Sequence, residues 1–287
     1  MPQALARRAW TLFEPIHAIV YFASEANEQY AAAGLRGYWM GYFASRSAAM
    51  GAVGPEVVTA VFHNFRPSKV ARALPDAWHF SSPERVLGAR TAVADAALRR
   101  LWGDRVESNA MAEAAELALE VSANLCGDGR PLFSAHAGLP VPEDPHLKLW
   151  HACTLLREHR FDGHVATLTV SGLSGLDAIV IAHAAGTGMD PATMQQLRGW
   201  TLEERESAAG RLRDRGLLDE HDALTTAGRA LRGSVEETTD HLANDAWNRI
   251  EMVRRERLCH LLRGLAVLLE DPDGMRYPNP IGVGRPA

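Results

Sequence analysis

The chain has 287 residues, of which 47% are hydrophobic and 23% charged, a balance that excludes disordered, collagen-like and disulfide-scaffold proteins. Its 30 basic and 35 acidic residues give a net charge of −5, so the whole chain lacks the positive footprint of a typical nucleic-acid binder. Cys126, Cys153 and Cys259 are widely spaced, which favours a reducing compartment over a disulfide framework.

Apolar residues at helical spacing predict helices through most of the chain, with Pro and Gly at the helix boundaries. In the first half, helices are expected over residues 2–33, 36–49, 56–62, 68–74, 83–102 and 146–159. The prolines between residues 131 and 145 mark a domain boundary or an ordered loop.

The second half has a more specific order of elements. Helices are expected from His164 and over residues 175–185, 191–198 and 202–215, where Gly216 ends the last one. Residues 217–225 predict two short strands joined by a polar turn, and residues 226–239 predict another helix. A short helix, a turn, a longer helix, a hairpin and a helix together indicate a winged helix-turn-helix.

We therefore predict a mostly α protein, with a helical N-terminal part followed by a winged helix-turn-helix that carries a short β-hairpin. The expected domains are a helical ligand-pocket domain at 1–130, a winged-helix-like domain at 131–246, and a C-terminal helix and tail at 247–287.

Two of the more apolar stretches are atypical of a leader or a membrane span. Near the N-terminus Glu14 and His17 interrupt the apolar residues, and between residues 170 and 188 Asp177, His183 and several glycines do the same. We expect a cytoplasmic protein with no membrane partner.

The motifs "RGLL" and "LTTAGR" flank the predicted hairpin, and from residue 163 to residue 246 the chain resembles the MarR-type winged-helix families. Taken with "EPIHAIVYFASEA", "GLRGYWMGYFASR", "REHRFDGHVATL" and "YPNPIGV", the whole chain is similar to an actinobacterial helix-turn-helix family related to the SalK-type proteins. This resemblance implies a fold and a place in specialised metabolism, but no chemistry.

The charges of the predicted recognition helix disfavour DNA as a partner. Three glutamates lie in its first turn, at 203–206, and Asp219, Glu220 and Asp222 occupy the hairpin tip. No Lys or Arg lies between residues 216 and 228. Acidic groups at these positions would repel the phosphate backbone.

A first candidate site lies on the N-terminal helix. His17, Tyr21 and Glu25 are spaced at i, i+4 and i+8, so one helix face would present an imidazole, a phenol and a carboxylate in line. His17 would serve as a general base or as a ligand of a metal or haem. The alternative is a core histidine whose hydrogen bonds are satisfied.

A second candidate is aromatic. Tyr38, Tyr42 and Arg46 share one helical face and Trp39 lies on the next, which is typical of a cavity wall for a planar molecule. Arg36 or Arg46 would bind an acidic group there. His63 and Asn64, between two phenylalanines, are expected to face the same cavity. Ordinary core packing is the alternative for the tyrosines.

A third candidate contains His159, Asp162 and His164. Asp162 is placed as the N-cap of a helix that begins at His164, or as the carboxylate that orients a histidine for proton transfer or metal binding. The spacing matches no standard zinc motif. No Gly-rich phosphate loop occurs, so no nucleotide cofactor is expected.

Three hypotheses for the function follow. The leading one is a small-molecule-binding protein or enzyme of specialised metabolism, with a haem or metal at His17 or His164 left open. The runner-up is a MarR-like, ligand-responsive transcription regulator that acts as a homodimer, and the third is an interaction module without a ligand. Catalytic roles are predicted for His17, Tyr21, Asp162 and His164, and ligand-binding roles for Arg36, Tyr38, Trp39, Tyr42, Arg46, His63, Asn64 and His159.

Overall fold

The computed structural model describes residues 5–187 and 190–286. Over these ranges the chain is mostly helical, in agreement with the prediction. The α-helices are α1 (Leu5–Phe22), α2 (Glu25–Ala32), α3 (Gly37–Ser47), α4 (Pro55–Phe62), α5 (Pro67–Ala71), α6 (Ala77–Phe80), α7 (Pro83–Trp102), α8 (Asn109–Ser122), α9 (Pro131–Ala137), α10 (Pro145–Val170), α11 (Gly175–Ala184), α12 (Pro191–Arg198), α13 (Leu202–Asp214), α14 (Thr226–Asn248) and α15 (Met252–Ala266).

Proline and glycine set several helix boundaries. α7 and α12 begin at Pro83 and Pro191, because a proline in the first turn loses no helical hydrogen bond and already has a helical φ. α13 ends at Asp214, and Gly216 just beyond it has a φ of 68°, the left-handed conformation that glycine adopts after a helix. The predicted ends of these helices are confirmed to within one residue.

The prediction of two separate helices that meet near residue 162 is wrong, because α10 spans both. It is one continuous helix, and Asp162 lies inside it instead of acting as an N-cap. Gly163 has a packing role, since a Cβ atom there would lie 2.7 Å from Nη1 of Arg130. That guanidinium donates to the carbonyl of His159, so the glycine makes room for a side chain from the neighbouring segment.

The helices enclose two hydrophobic cores. The first core is built mainly from α1, α3, α7, α8, α10 and α15 and contains Trp102 and Phe43. The second is smaller and joins α11, α13 and the start of α14 around Val180 and Leu212. α10 and α14 contribute buried residues to both cores and so connect them. The domain boundaries at 131 and 247 remain predictions.

The predicted β-hairpin is wrong. Between α13 and α14 a single antiparallel bridge joins Leu218 to Leu224, and the described residues contain no strand. The carboxylate of Asp219 accepts hydrogen bonds from two backbone N–H groups of the same loop and closes it tightly. Thr225 then caps α14 by accepting from the N–H of Gly228, so the chain enters the helix before a ladder can extend.

The described part of the chain contains no single helix with the length and apolarity of a membrane span. α10 and α11 satisfy that test only as a pair, and the pair is bent by 94°.

Candidate functional site

A cavity of about 420 Å³ lies between the two cores, within the volume range of small-molecule sites. The first core contributes aromatic walls and the second contributes aliphatic ones. Its apolar lining includes Trp10, Tyr42, Phe62, Phe161, Leu168, Leu173, Leu176, Ile181 and Trp200. The charged lining is mostly guanidinium, with Arg7, Arg46, Arg157, Arg160, Arg198, Arg205 and Arg232 against Glu14 and Glu236.

Arg46, on α3, is the least exposed of the arginines that line the cavity and contact aromatic rings. Only 2% of it is exposed, and its guanidinium lies between the rings of Phe62 and Phe161, at 4.0 and 4.7 Å from their centroids. Nη1 donates to the hydroxyl of Tyr42 at 3.5 Å. Nε and Nη2 have no hydrogen-bond partner among the described residues. Two of its donors are therefore buried without an acceptor among the described residues.

Arg198, the last residue of α12, is also nearly buried. Its guanidinium lies 4.5 Å from the centroid of the Phe65 ring, and Nη2 donates to the carbonyl of Pro280 at 2.6 Å. Nε has no partner within the described ranges. Burial lowers the pKa of Arg198, and the charge of Arg46 lowers it further. Arg198 and Arg46 both line the same cavity.

Further polar atoms along the cavity are equally unsatisfied. In the part of the chain that the structure describes, Nε2 of His63, Oδ1 of Asn64 and Nη1 of Arg160 are buried without a hydrogen-bond partner. Arg160 has one carboxylate partner, Asp240, at 2.8 Å. The residues that line the cavity thus include buried donors and one buried acceptor without a partner among the described residues.

Beneath Arg46 lies a buried ion cluster around Glu158, a side chain with no exposed surface. Arg157 donates to Glu158 at 2.7 Å, and Nη2 of Arg46 lies 3.7 Å from the same carboxylate. Burial would raise the pKa of Glu158, but the guanidiniums of Arg157 and Arg46 outweigh it and lower the pKa to about 2. Glu14 is the second carboxylate of the cluster, at 3.3 Å from Arg157.

His17 and Tyr21 are in contact, as their spacing predicts. Nε2 of His17 lies 3.0 Å from the hydroxyl of Tyr21, and Nδ1 lies 3.0 Å from Oγ1 of Thr154. Burial, followed by the charge of Arg157, holds the pKa of His17 well below its usual value. The imidazole is therefore neutral, fully hydrogen-bonded and outside the cavity lining.

Glu25 does not continue the line of His17 and Tyr21, so that part of the prediction is wrong. α1 ends at Phe22, and Glu25 begins α2, where it accepts a hydrogen bond from Arg100 at 2.6 Å. The break between the two helices turns the carboxylate toward a different partner.

The aromatic cluster of α3 divides between core and cavity. Tyr42 and Arg46 line the cavity, whereas Tyr38, Trp39 and Arg36 lie outside its lining. The hydroxyl of Tyr38 donates to the carbonyl of Tyr21 at 3.0 Å. Trp39 faces Nζ of Lys69 at 3.7 Å, and Arg36 lies over the ring of Phe80 at 3.9 Å. Close approach at Gly41 is to the ring of Tyr30, from which a Cβ atom would be 2.5 Å away.

The third candidate, which contains His159, Asp162 and His164, does not form one site either. His164 lines the cavity with Nδ1 at 3.0 Å from Oγ1 of Thr239, and burial lowers its pKa to about 4. His159 instead packs edge-on against Phe133, at 5.1 Å between ring centroids. Asp162 accepts from the backbone N–H of Phe133 at 2.9 Å. His159 and Asp162 therefore face α9, away from the cavity.

The described residues contain no group of three or more His, Cys, Asp or Glu side chains placed to hold a metal ion. A metal or haem at His17 or His164 has no further support.

The raised pKa of Asp162 predicts a pH-dependent stability. Burial, with a smaller contribution from Glu158, raises this pKa to about 7. The folded protein therefore keeps a proton that the unfolded chain releases near pH ~4. We expect the free energy of unfolding to fall by roughly 3 kcal/mol as the pH rises from about 4 to about 7.

Denaturant titrations across this pH range measure the effect. Asp162→Asn should remove most of the fall, because the amide oxygen still accepts from Phe133 and carries no charge. The exposed Asp128→Asn serves as the control and should retain it. An unchanged pH profile in Asp162→Asn would contradict the assignment.

The helix pair α12 and α13, predicted from the sequence to form the helix-turn-helix, is held against the segment 63–69 of the same chain. The indole N–H of Trp200 donates to the carbonyl of Asn64 at 3.1 Å, and the backbone N–H of Arg66 donates to the carbonyl of Arg198 at 3.0 Å. The side chain of Arg66 pairs with Glu204, in the first turn of α13, at 2.9 Å. The start of the predicted recognition helix is therefore docked within the chain.

Two arginines of α13, and Arg215 directly after its end, also have partners within the chain. Arg211 pairs with Asp177, Arg213 pairs with Glu206 and Asp222, and Arg215 donates to the carbonyls of Ser171 and Gly172. A fourth, Arg205, lines the cavity. These contacts leave α13 with little positive charge for phosphate groups.

Sequence reasoning missed two groups of cavity residues. One is Arg157, whose fully buried partner Glu158 lies outside the lining; the signal for it was a pair of adjacent charges among the apolar residues of α10. The other is Arg198, which ends α12 one residue before the glycine that closes it. Neither spacing nor residue type separates these arginines from solvent-exposed ones, because burial depends on how the two cores meet.

A family model described as "Helix-turn-helix family" matches residues 6–274, nearly the whole chain. No curated protein and no solved structure matches the chain. The match extends over α12 and α13 as well as over the helices that form the first core. The chain belongs to this helix-turn-helix family.

Proposed function

We propose that this helix-turn-helix protein binds a small molecule in the cavity between its two cores. One observation carries the proposal: the cavity brings together buried polar atoms without partners from the N-terminal part, at Arg46, and from the helix-turn-helix, at Arg198. Buried polar groups are normally satisfied, and a group of them around a cavity of this size is typical of a binding site.

The experiment is a thermal-unfolding assay with a panel of three acids and their amides, namely benzoate, cinnamate and decanoate with benzamide, cinnamamide and decanamide. A ligand at about 100 times its Kd stabilises the folded state by about 2.7 kcal/mol. We expect at least one probe to raise the midpoint by about 5 °C or more, since a chain of this size shifts by roughly 2–4 °C per kcal/mol.

Filling the cavity tests where the probe binds. Ala182 lines the cavity, and Ala182→Phe should abolish the shift by occupying the space. Ala110→Phe adds the same ring at an exposed position and should leave the shift unchanged. The proposal is wrong if no probe raises the midpoint, or if both variants respond like the unmodified protein.

A second candidate function is a ligand-responsive transcription regulator, which the family membership favours. This candidate includes the finer resemblance to MarR-type and SalK-type proteins and the homodimer that would supply a DNA surface. The docked first turn of α13 and its paired arginines weigh against it. Retardation of upstream DNA that weakens steeply with salt would support it, and none at low salt would exclude it.

The catalytic roles of His17, Tyr21, Asp162 and His164 remain predictions. Only His164 lines the cavity, and its lowered pKa of about 4 keeps the imidazole neutral at physiological pH. A neutral imidazole of this kind could accept a hydrogen bond from a ligand without a reaction following. We therefore place binding, and not turnover, at the centre of the proposed function.

A further inference from the structure

We propose that the ligand of this cavity is a small organic carboxylate with an apolar body, and that Arg46 and Arg198 together hold its acid group. This inference rests on the proposed function and specifies the chemistry of the same site. Arg46 and Arg198 are 2% and 6% exposed, both line this cavity, and both guanidiniums have buried nitrogen donors without a hydrogen-bond partner among the described residues.

The balance of charge favours an anion there. Within the described residues Arg7, Arg157 and Arg160 each have a carboxylate oxygen within 3.3 Å or less. Arg198 has none within 4 Å, and Arg46 reaches only Glu158, at 3.7 Å, which Arg157 already binds at 2.7 Å. A buried charge without a partner costs several kcal/mol, and a bound anion would offset that cost.

Aromatic rings pack against both guanidiniums, and Glu158 is the one carboxylate within 4 Å of either among the described residues. Phe62 and Phe161 enclose Arg46, and Phe65 lies against Arg198. Stacking on the flat faces leaves the N–H groups at the edges of each guanidinium free to donate. The edge of a guanidinium matches the two oxygens of a carboxylate, so the site is organised before the ligand arrives.

The remaining lining defines the rest of the ligand. Leucine and isoleucine side chains of the second core face the cavity and suit an apolar body, which a small inorganic anion would not fill. Oδ1 of Asn64 is an unpaired acceptor, so a hydroxyl or N–H on that body would gain a partner. A cavity of about 420 Å³ admits a body of one or two rings or a short branched chain.

The acid and amide pairs of the thermal assay test this inference when ionic strength is held constant. Each amide has nearly the shape of its acid but carries no charge, so only the acids should raise the midpoint. Equal shifts for acids and amides would overturn the carboxylate assignment and leave the proposed small-molecule function standing. No shift with any of the six probes would overturn both.

Arg198→Met and Arg46→Met test the residues. Each removes charged hydrogen bonds to the acid and should weaken binding of the effective acid by about 10- to 100-fold, as measured by calorimetry. Arg72→Met, at an exposed arginine outside the cavity lining, should bind like the unmodified protein. Unchanged affinity in both cavity variants would overturn the inference.

The thermal stability of the same variants provides a test that needs no ligand. Because Arg198 is a buried charge without a carboxylate partner among the described residues, Arg198→Met should unfold at the same or a higher temperature than the unmodified protein when no acid is present. A large loss of stability would indicate that Arg198 is structural and would count against its role as an anion ligand. If Arg198→Met does not fold, the affinity of Arg46→Met decides.

Discussion

Glu158→Gln is expected to lower the free energy of unfolding by about 3–5 kcal/mol, the usual cost of breaking a buried ion pair from one side. Glu158 is fully buried, accepts from Arg157 and lies beside Arg46. Glutamine keeps the shape but leaves both guanidiniums without their shared counter-charge. Urea or guanidinium titration at neutral pH measures the loss.

The matched control is Glu116→Gln. Glu116 also pairs with a cation, Lys148, at 2.9 Å, but it is largely exposed, and such surface pairs contribute little. A small effect in the control beside a large one at Glu158 would locate the energy in the buried cluster. If the two variants lose stability equally, the buried ion cluster stabilises the fold no more than an exposed ion pair does.

Gly175→Ala is the second substitution for which we expect a large effect. A Cβ atom on Gly175 would lie 1.9 Å from the carbonyl oxygen of His63 and 2.7 Å from Cα of Asn64. Both contacts are with backbone, which cannot move aside as a flexible side chain would. We expect a loss of about 3 kcal/mol and separation of α11 from the segment 63–69.

Limited proteolysis and denaturant titration together detect this separation. Cleavage near residues 63–69 should accelerate in Gly175→Ala, and affinity for the effective acid should fall because His63 and Asn64 line the cavity. Gly233→Ala is the control, since a Cβ atom there meets nothing within 4 Å and alanine favours the interior of α14. A stable, protease-resistant Gly175→Ala protein would refute the tight packing between these segments.

The helical fold was readable from the sequence where local signals agreed with packing. α7 and α12 follow their prolines and apolar periodicity, and the residues that end them were predicted correctly. The wrong helix boundary near residue 162 has one physical cause: residues that are typical of a local turn make contacts with distant parts of the chain instead. Asp162 and Gly163 resembled a cap and a turn, but Gly163 makes room for Arg130 and Asp162 binds the backbone of Phe133.

The hairpin failed for a related reason. Its apolar ends, Leu217 and Leu218, are buried in the second core, so their pattern is that of core residues as much as of strands. The loop between them and Leu224 is closed by Asp219, and only one bridge remains. The alternation of apolar and polar residues was therefore too short to distinguish a strand from a capped turn.

The candidate site was predictable in part. Five residues chosen from the sequence, Tyr42, Arg46, His63, Asn64 and His164, line the cavity. The remainder could not be found, because no local pattern shows which arginines lose their contact with water when two cores meet. Arg198 illustrates the limit: its position at the end of α12 suits an ordinary C-terminal cation.

If Arg46 and Arg198 bind an anion as proposed, their positions would link ligand occupancy to how firmly α12 and α13 are held against the segment 63–69. Arg46 belongs to α3, whereas Arg198 belongs to α12, so a carboxylate held by both would act as a removable crosslink between the two cores. A partner that binds only when α12 and α13 move away from the segment 63–69 would therefore compete with the ligand. By thermodynamic reciprocity, the partner weakens ligand binding by the same factor by which the ligand weakens partner binding. Ligand binding would then change how firmly α12 and α13 are held, and so their availability to a partner, without changing the fold of either core.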